Sequence, residues 1–417
     1  MKFAQLAVLT ALIAPSAGAV VVTFGTSTSN LVLSGTGLNA SGAGTSRVTL
    51  GTCNYDGTNT TCVLSGPYTG LGSGGTWAFT LIYPGNGQSP LSAITNPPTS
   101  NLFTLSLTAG SFAFTLTPTG GSPVTFYDTP GSVTYSNPTC TVVSQCGVAA
   151  VGQAQGSSIT GLVTGSADVT PKVNSVITAG NYGGFSAIAP ATWIEIYGTN
   201  LATVQPQTWA SADFNGSLAP TALGGTSVTV NGQPAYVDYV SPHQVNVQVP
   251  SGVASGKQTV VVTTFGGPSA GTSVTVNATE PGMLAPPAFD VSAGQYVVAT
   301  QPNGATFILP PGLTNAVPTA RAVPGNVIVM YGIGFGPVSP NINAGAIVGA
   351  SNALNGVTFT IGGKQATVQF AGLVSGFLGL YQFNVVVPQI SANDATPVVV
   401  SLNGQQVPQS LILSVGN

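Results

Sequence analysis

The sequence predicts an all-β protein with an N-terminal β-sandwich followed by two further sandwiches that repeat each other. Three observations predict this class. Glycine and proline are abundant, at 55 and 31 of 417 residues, as in chains with many tight turns. Short β-rich runs alternate with these turns, and no stretch has the period of an amphipathic helix. Segments within residues 173–417 recur, so that Pro190 returns as Pro324.

The leader of the chain resembles a secretory signal. Lys2 supplies a positive charge, residues 6–14 are apolar, and residues 17–19 are small, as at a cleavage site. The apolar run is shorter than the roughly 20 residues that a membrane-spanning helix needs. We therefore expect a signal peptide over residues 1–19, no membrane span, and a secreted, extracellular or cell-surface location.

The low charge of the chain excludes one class of partner. Only 4% of residues are charged, with six Lys and Arg against nine Asp and Glu. An average soluble protein has about 25%. Nucleic-acid binding requires clustered bases that neutralise phosphates, and the bases here are single and far apart. We expect no nucleic-acid partner.

Four cysteines lie in the first 150 residues, in two close pairs: Cys53 with Cys62, and Cys140 with Cys146. They fit the oxidising compartment that an exported protein enters, and they predict disulfides. Local pairing is the economical arrangement, but three connectivities are open. Residues 54–59 loosely resemble a calcium loop without its closing glutamate, so we expect a disulfide-closed turn, no metal and no cofactor.

The N-terminal domain is predicted over residues 20–170. Its β-rich runs are short, and within residues 77–83 the odd positions are large and apolar, a period of two. Turn-rich segments separate the runs. The pattern predicts a β-sandwich, and the segment resembles no known family.

The two repeats are recognised by three pairs of segments: residues 190–198 with 324–332, 228–232 with 359–363, and 244–250 with 382–388. In the third segment Val245, Val247 and Val249 fall on one face and polar residues on the other, as in a half-buried antiparallel strand. Pro250 ends the strand, because proline cannot donate to a sheet ladder.

Turn residues predict three hairpins. Asn231-Gly232 and Gly362-Gly363 can adopt the positive φ angles of a two-residue hairpin loop. A third hairpin is predicted around residues 302–304, between strands at 296–300 and 306–309.

These segments resemble the IPT/TIG class of immunoglobulin-like domains. The pairing of residues 241–250 with 376–388 is similar to a narrower, uncharacterised family of C-terminal domains in acidobacterial secreted proteins. The resemblance covers about residues 173–417. It implies two immunoglobulin-like (IPT/TIG-type) sandwich repeats, over 171–282 and, with a hairpin linker, 283–417, and it implies export. It assigns no catalytic or ligand-binding residue.

Catalysis is not expected. The only histidine, His243, lies in a turn before a strand, and no nucleophile-elbow motif accompanies it. The nine acidic residues form no spaced pair in a recognisable motif, and their isolation favours turn and capping roles.

A sugar site is the one positive site hypothesis. Trp193, Glu195 and Tyr197 should share the outward face of one strand, with Trp209 in the following loop. Sugar-binding surfaces combine aromatic rings with polar groups. The other interpretation is packing in the core or between domains. Because Tyr197 recurs as Tyr331, we interpret the tyrosine as structural and name Trp193, Glu195 and Trp209 as ligand contacts.

The resulting hypothesis is a secreted, non-catalytic binding or adhesion protein. Its partner would be an extracellular polysaccharide or a cell-surface protein, recognised at loops at the end of the N-terminal sandwich. Two alternatives are a structural component that self-associates through sheet edges and an accessory module of an extracellular hydrolase. Ligand and oligomeric state stay open.

Overall fold

The computed structural model describes residues 170–416 with their side chains, apart from positions 205, 265, 315 and 350. Between residues 21 and 168 it describes ten strands, largely through their backbone. Strands and short 3-10 turns make up the regular structure of these parts, which confirms the all-β class with immunoglobulin-like sandwich repeats. Within them, no helix has the length and apolarity to cross a membrane. The predicted signal segment lies outside the described residues.

The N-terminal strands are β1 (Val21–Gly25), β2 (Asn30–Ser34), β3 (Val48–Tyr55), β4 (Asn59–Tyr68), β5 (Gly75–Pro84), β6 (Leu102–Leu107), β7 (Phe112–Pro118), β8 (Val124–Tyr127), β9 (Gly131–Ser136) and β10 (Ile159–Asp168). β10 pairs with β1, β9 and β3 and so joins two groups of strands. The β3–β4 register places Cys53 opposite Cys62, a separation that a disulfide can bridge. This disulfide stays a prediction, and Cys140 and Cys146 lie outside the described residues.

The first repeat contains β11 (Lys172–Thr178), β12 (Ala187–Ile188), β13 (Trp193–Thr199), β14 (Gln207–Thr208), β15 (Ala222–Leu223), β16 (Thr226–Val230), β17 (Gln233–Pro234), β18 (Tyr236–Val240), β19 (Gln244–Gln248), β20 (Gly256–Thr264), β21 (Gly267–Pro268) and β22 (Thr272–Val276). One sheet has the order β11-β13-β19-β18-β14. The other has the order β12-β22-β20-β16-β15. Valine and isoleucine side chains fill the core of this repeat.

The second repeat and its linker contain β23 (Gly282–Met283), β24 (Asp290–Val291), β25 (Gly294–Gln295), β26 (Ala299–Thr300), β27 (Phe307–Ile308), β28 (Thr319–Ala320), β29 (Val327–Ile333), β30 (Val357–Ile361), β31 (Lys364–Leu373), β32 (Tyr381–Val386), β33 (Asn393–Leu402), β34 (Gln405–Gln406) and β35 (Leu411–Val415). The long strand β31 pairs first with β30 and then with β32, so it connects the two sides of this sandwich. Three 3-10 turns complete the description: Gly180–Tyr182, Ser211–Asp213 and Pro287–Phe289.

Both repeats pair their strands in the same way. β13, β18 and β19 form a sheet as β29, β31 and β32 do, and β16, β20 and β22 pair as β30, β33 and β35 do. The register shift in β18 falls at Asp238, and the one in β31 falls at the equivalent Gln369. The repeat visible in the sequence is therefore a repeat of strand pairing and of a β-bulge.

The predicted hairpin turns are confirmed. Asn231 and Gly232 have φ angles of 51° and 73°, and Gly362 and Gly363 have 59° and 77°. These left-handed angles match the twist of the strands that the turns connect. Thr300 pairs with Phe307 and closes the third predicted hairpin, although its strands are shorter than predicted.

Arg321 and Asp394 connect the linker to β33. The guanidinium donates from Nε to Oδ1 at 2.7 Å and from Nη2 to Oδ2 at 2.8 Å. Ser414 Oγ donates to the same carboxylate at 2.6 Å. These bonds from Arg321 and Ser414 lower the pKa of Asp394 to about 2.

We expect the second repeat to lose stability as the pH falls from about 4 toward 2. The folded-state pKa of Asp394 lies below its unfolded value, so ionised Asp394 favours the folded state above the unfolded pKa. That contribution is lost as the pH falls through the folded value. It is small, because the two side chains are 40% and 41% exposed. Melting temperatures measured across this pH range check the expectation. The melting temperature of Asp394→Asn should fall less steeply than that of the wild type as the pH is lowered. The same dependence of melting temperature on pH in the wild type and in Asp394→Asn would contradict the expectation.

Candidate functional site

The outer face of the β11-β13-β19-β18-β14 sheet carries the predicted contact residues of β13. Ile194 and Ile196 are buried, whereas Trp193, Glu195 and Tyr197 are half-buried on the opposite face. Successive side chains of a strand point to opposite faces, so the period of two in the sequence places these three side chains together.

Three polar side chains form a row across neighbouring strands of this face, here called the polar row: Glu195, Asn246 and Asp238. Glu195 in β13 is the register partner of Asn246 in β19. Asp238 occupies the bulge in β18, next to the pair Tyr239 and Asn246. Strands lie about 4.8 Å apart, so the polar row is about 10 Å long.

The hydrogen bonds within the sheet leave some donor and acceptor groups of the polar row unused. Tyr197 donates to Glu195 Oε2 at 2.7 Å, and Gln244 Nε2 donates to Asn246 Oδ1 at 2.8 Å. Among the described residues, the carboxylate of Asp238 and the amide NH₂ of Asn246 have no hydrogen-bond partner. The polar row therefore offers acceptors at both ends and a donor in the middle.

Burial changes the acidity of two groups at this face. It raises the pKa of Asp238, whose carboxylate loses part of its hydration there. Burial and then the hydrogen bond to Glu195 raise the pKa of Tyr197 to about 12. Tyr197 therefore stays a neutral donor that orients the Glu195 carboxylate.

Three aromatic rings stand beside the polar row. The rings of Trp193 and Trp209 are 5.7 Å apart at 71°, and those of Trp209 and Phe214 are 5.0 Å apart at 64°. The backbone N–H of Trp209 donates to the Asp238 carbonyl at 3.0 Å. This bond holds the Trp209 ring at the Asp238 end of the polar row, while part of the ring packs against the core.

The second repeat forms the opposite wall through the loop between β31 and β32. Trp193 Nε1 donates to the Leu378 carbonyl of this loop at 2.8 Å. The neighbouring Phe377 is 55% exposed. Together the two repeats enclose an open groove of about 530 Å³, here called the junction groove, which is lined by the polar row, by these four aromatic side chains and by Tyr182.

A buried glutamine and a glycine hold the two repeats together. Gln248 is 1% exposed, donates to the Ala191 carbonyl at 2.9 Å and accepts from Gly345 N–H at 2.8 Å. Gly345 has a φ of +78°, and a Cβ there would lie 2.1 Å from the Tyr236 ring. These contacts across the junction set the position of the groove wall.

The structure brings the three predicted contact residues, Trp193, Glu195 and Trp209, into this one groove. Trp193 also packs between the repeats, as the packing interpretation expected, and its role as a ligand contact stays a prediction. Sequence reasoning missed Asp238, Asn246, Phe214 and Phe377. The turn or capping role inferred for Asp238 is wrong, since it lies at a bulge within a strand. The insertion before Gln382 in the second repeat was the one available signal for the Phe377 loop.

Other residues considered for chemistry lie elsewhere. His243 is exposed in the turn before β19, as interpreted, and its Nδ1 is 3.3 Å from the Gly198 carbonyl oxygen. In the part of the chain that the structure describes, no group of three His, Cys, Asp or Glu side chains could hold a metal ion.

The first repeat has a recognisable family relationship. Residues 184–278 match the model of the IPT/TIG domain family. The matched segment begins just before β12, ends just after β22, and contains the whole polar row. No curated protein matches the chain. The narrower resemblance to a family of acidobacterial secreted proteins stays a prediction.

Several solved structures are similar at low identity. The Bacteroides ovatus mixed-linkage glucan utilization protein SGBP-B, solved with a mixed-linkage heptasaccharide, is 12% identical with a TM-score of 0.25; 75% of this chain and 57% of that chain are covered. Domains 5–6 of the S-layer protein SbsC are 11% identical with a TM-score of 0.21, covering 59% and 98%. Invasin, a bacterial integrin-binding protein, is 11% identical with a TM-score of 0.17, covering 86% and 60%. This chain thus spans just over half of the Bacteroides protein, and the similarities carry no argument about function.

Proposed function

We propose that this protein is an exported, non-catalytic binding protein whose junction groove holds a polysaccharide chain. One observation carries the proposal: five aromatic side chains and a polar row with unused hydrogen-bonding capacity line the same open groove. The export part of the proposal rests on the leader sequence.

The chemistry of sugars explains why this combination suits them. A sugar ring has C–H surfaces that pack against aromatic rings, and hydroxyl groups at its edges that need donors and acceptors. Here Trp193, Trp209 and Phe377 would contact the ring faces. The carboxylates of Glu195 and Asp238 would accept from hydroxyl groups.

The groove also has the dimensions of a ligand site. Its volume of about 530 Å³ lies within the range of about 300–1,000 Å³ for small-molecule sites. It is open to solvent, so part of a polymer could enter from the side. Residues 171–282 would supply the polar row and residues 283–417 the Phe377 wall. The proposal moves recognition from the N-terminal sandwich to the junction.

A pull-down on insoluble polysaccharides tests the proposal. The full chain should be retained on at least one matrix, and Phe377→Ala should bind it about tenfold more weakly. The reason is that aromatic stacking contributes about 0.5–1.5 kcal/mol beyond area burial. Leu313→Ala is the matched control, because Leu313 is a 42% exposed apolar residue outside the groove.

Two results would contradict the proposal. The first is an absence of retention on every matrix, after which sedimentation velocity would test self-association instead. The second is equal retention of Phe377→Ala and Leu313→Ala, which would place binding outside the junction groove.

A further inference from the structure

We propose that the ligand of the junction groove carries amino groups, and that its class is an amine-bearing glycan such as a polymer of glucosamine. This inference rests on the proposed polysaccharide function and narrows it. It is carried by the charges of the groove, by its aromatic walls and by a comparison with the second repeat.

The junction groove has negative charge without a protein counter-charge. Glu195 and Asp238 line it, and no lysine, arginine or histidine does among the described residues. Three of the four other acids whose side chains the structure describes have protein partners, and the fourth, Asp290, is exposed to water. Asp394 pairs with Arg321, Asp213 accepts from a backbone N–H, and Glu280 accepts from Asn277.

Asp238 is the least compensated of these acids. Its carboxylate is partly buried and no described side chain donates to it. A carboxylate that loses hydration without a partner is unfavourable for folding. A ligand ammonium group beside it would supply the missing charge and donate up to three hydrogen bonds. An acidic glycan would be repelled at the same position.

The aromatic walls favour the same kind of ligand. Cations bind over the faces of aromatic rings, tryptophan being the most favourable. The rings of Trp193 and Trp209 are inclined at 71°, so their planes form two differently oriented walls beside the polar row. Because Glu195 and Asp238 line the same groove as these rings, an ammonium group and its sugar ring could contact carboxylates and aromatic rings at once.

The second repeat shows which of these features the fold itself does not require. The bond from Gln244 to Asn246 recurs as a bond from Gln382 to Asn384, also at 2.8 Å. The two acids do not recur, because valine and glutamine replace them in the same register: Val329 for Glu195 and Gln369 for Asp238. Val327 replaces Trp193. The hydrogen bond is therefore common to the fold, whereas the charge and the indole are particular to the junction groove.

Titration calorimetry with two oligosaccharides tests the inference. The probes are an oligomer of β-linked glucosamine and its N-acetylated counterpart of equal length, measured on the full chain near pH 6, where the amine is protonated. We expect the amine form to bind at least about tenfold more tightly and to lose this advantage as salt is raised. Phe377→Ala should weaken both forms.

Two carboxylate variants distinguish binding of the amine at Asp238 from a general electrostatic attraction to the protein. Asp238→Asn should remove most of the preference for the amine, because it should weaken binding of the amine form much more than binding of the N-acetylated oligomer. Asp290→Asn is the matched control, because Asp290 is exposed and outside the groove. Asp238→Asn should also raise the melting temperature at neutral pH, since an ionised carboxylate with a raised pKa opposes folding above that pKa.

Equal affinity for the two oligomers would overturn the inference, and so would equal losses in Asp238→Asn and Asp290→Asn. In either case retention on a polysaccharide that depends on Phe377 would leave the proposed function standing. If neither oligomer bound and no polysaccharide matrix retained the protein, both the inference and the proposed function would be overturned.

Discussion

Gly345→Ala is expected to loosen the junction of the two repeats and to lower the free energy of unfolding by at least about 1–2 kcal/mol. A left-handed backbone costs an L-residue about that much, and Gly345 has a φ of +78°. The new methyl group would in addition lie 2.1 Å from the Tyr236 ring, so the ring or the loop must move. Urea denaturation measures the stability, and the polysaccharide pull-down measures the accompanying loss of the groove wall.

Gly349→Ala in the same segment is the control. A Cβ at Gly349 meets no atom within 4 Å, and its φ lies outside the left-handed region. The free energy of unfolding of the Gly349→Ala control should differ from that of the wild type by no more than about 0.5 kcal/mol. The control should also be retained on the polysaccharide as the wild type is. If both alanine variants behaved alike, close packing at Gly345 would not be what holds the repeats together.

Phe383→Ala is expected to be the most destabilising substitution, at about 3–5 kcal/mol. Phe383 is fully buried, and its ring lies 4.8 Å from that of Phe335 and 5.2 Å from that of Phe359. Truncation removes the transfer free energy of a large ring and leaves a cavity that its neighbours only partly fill. Urea denaturation measures this loss as well.

Phe377→Ala should give the opposite result in the same repeat. With 55% of its side chain exposed, Phe377 should contribute little to stability, so the change should be within about 0.5 kcal/mol. Its expected defect is in ligand retention alone. The prediction would be wrong if the two phenylalanine variants lost similar amounts of stability.

Much of the fold could be predicted because it depends on local rules. Alternation along residues 193–199 follows from strand geometry, so the common face of Trp193 and Glu195 could be predicted before any pairing was known. The hairpins at Asn231-Gly232 and Gly362-Gly363 follow from residues that accept positive φ angles. The turn at Asn403-Gly404, with φ angles of 50° and 80°, obeys the same rule and was overlooked.

The rest of the junction groove depends on contacts between distant parts of the chain. Asn246 joins Glu195 only because β13 and β19 pair in one particular register. Asp238 joins them because a bulge in β18 adds it to the strand beside the pair Tyr239 and Asn246. Neither register nor bulge has a local signal strong enough to be recognised in a single sequence.

The sequence by itself determined the strand class, the repeat, the outward face of β13 and three of the residues that line the groove, Trp193, Glu195 and Trp209. Only the tertiary structure decided that those residues form a groove, because its second wall comes from Phe377, 184 residues beyond Trp193. A loop and a sheet so far apart in the chain meet through the packing of the repeats, which Gln248 and Gly345 fix. That packing is a property of two complementary surfaces, and surface complementarity leaves no periodic pattern in either segment.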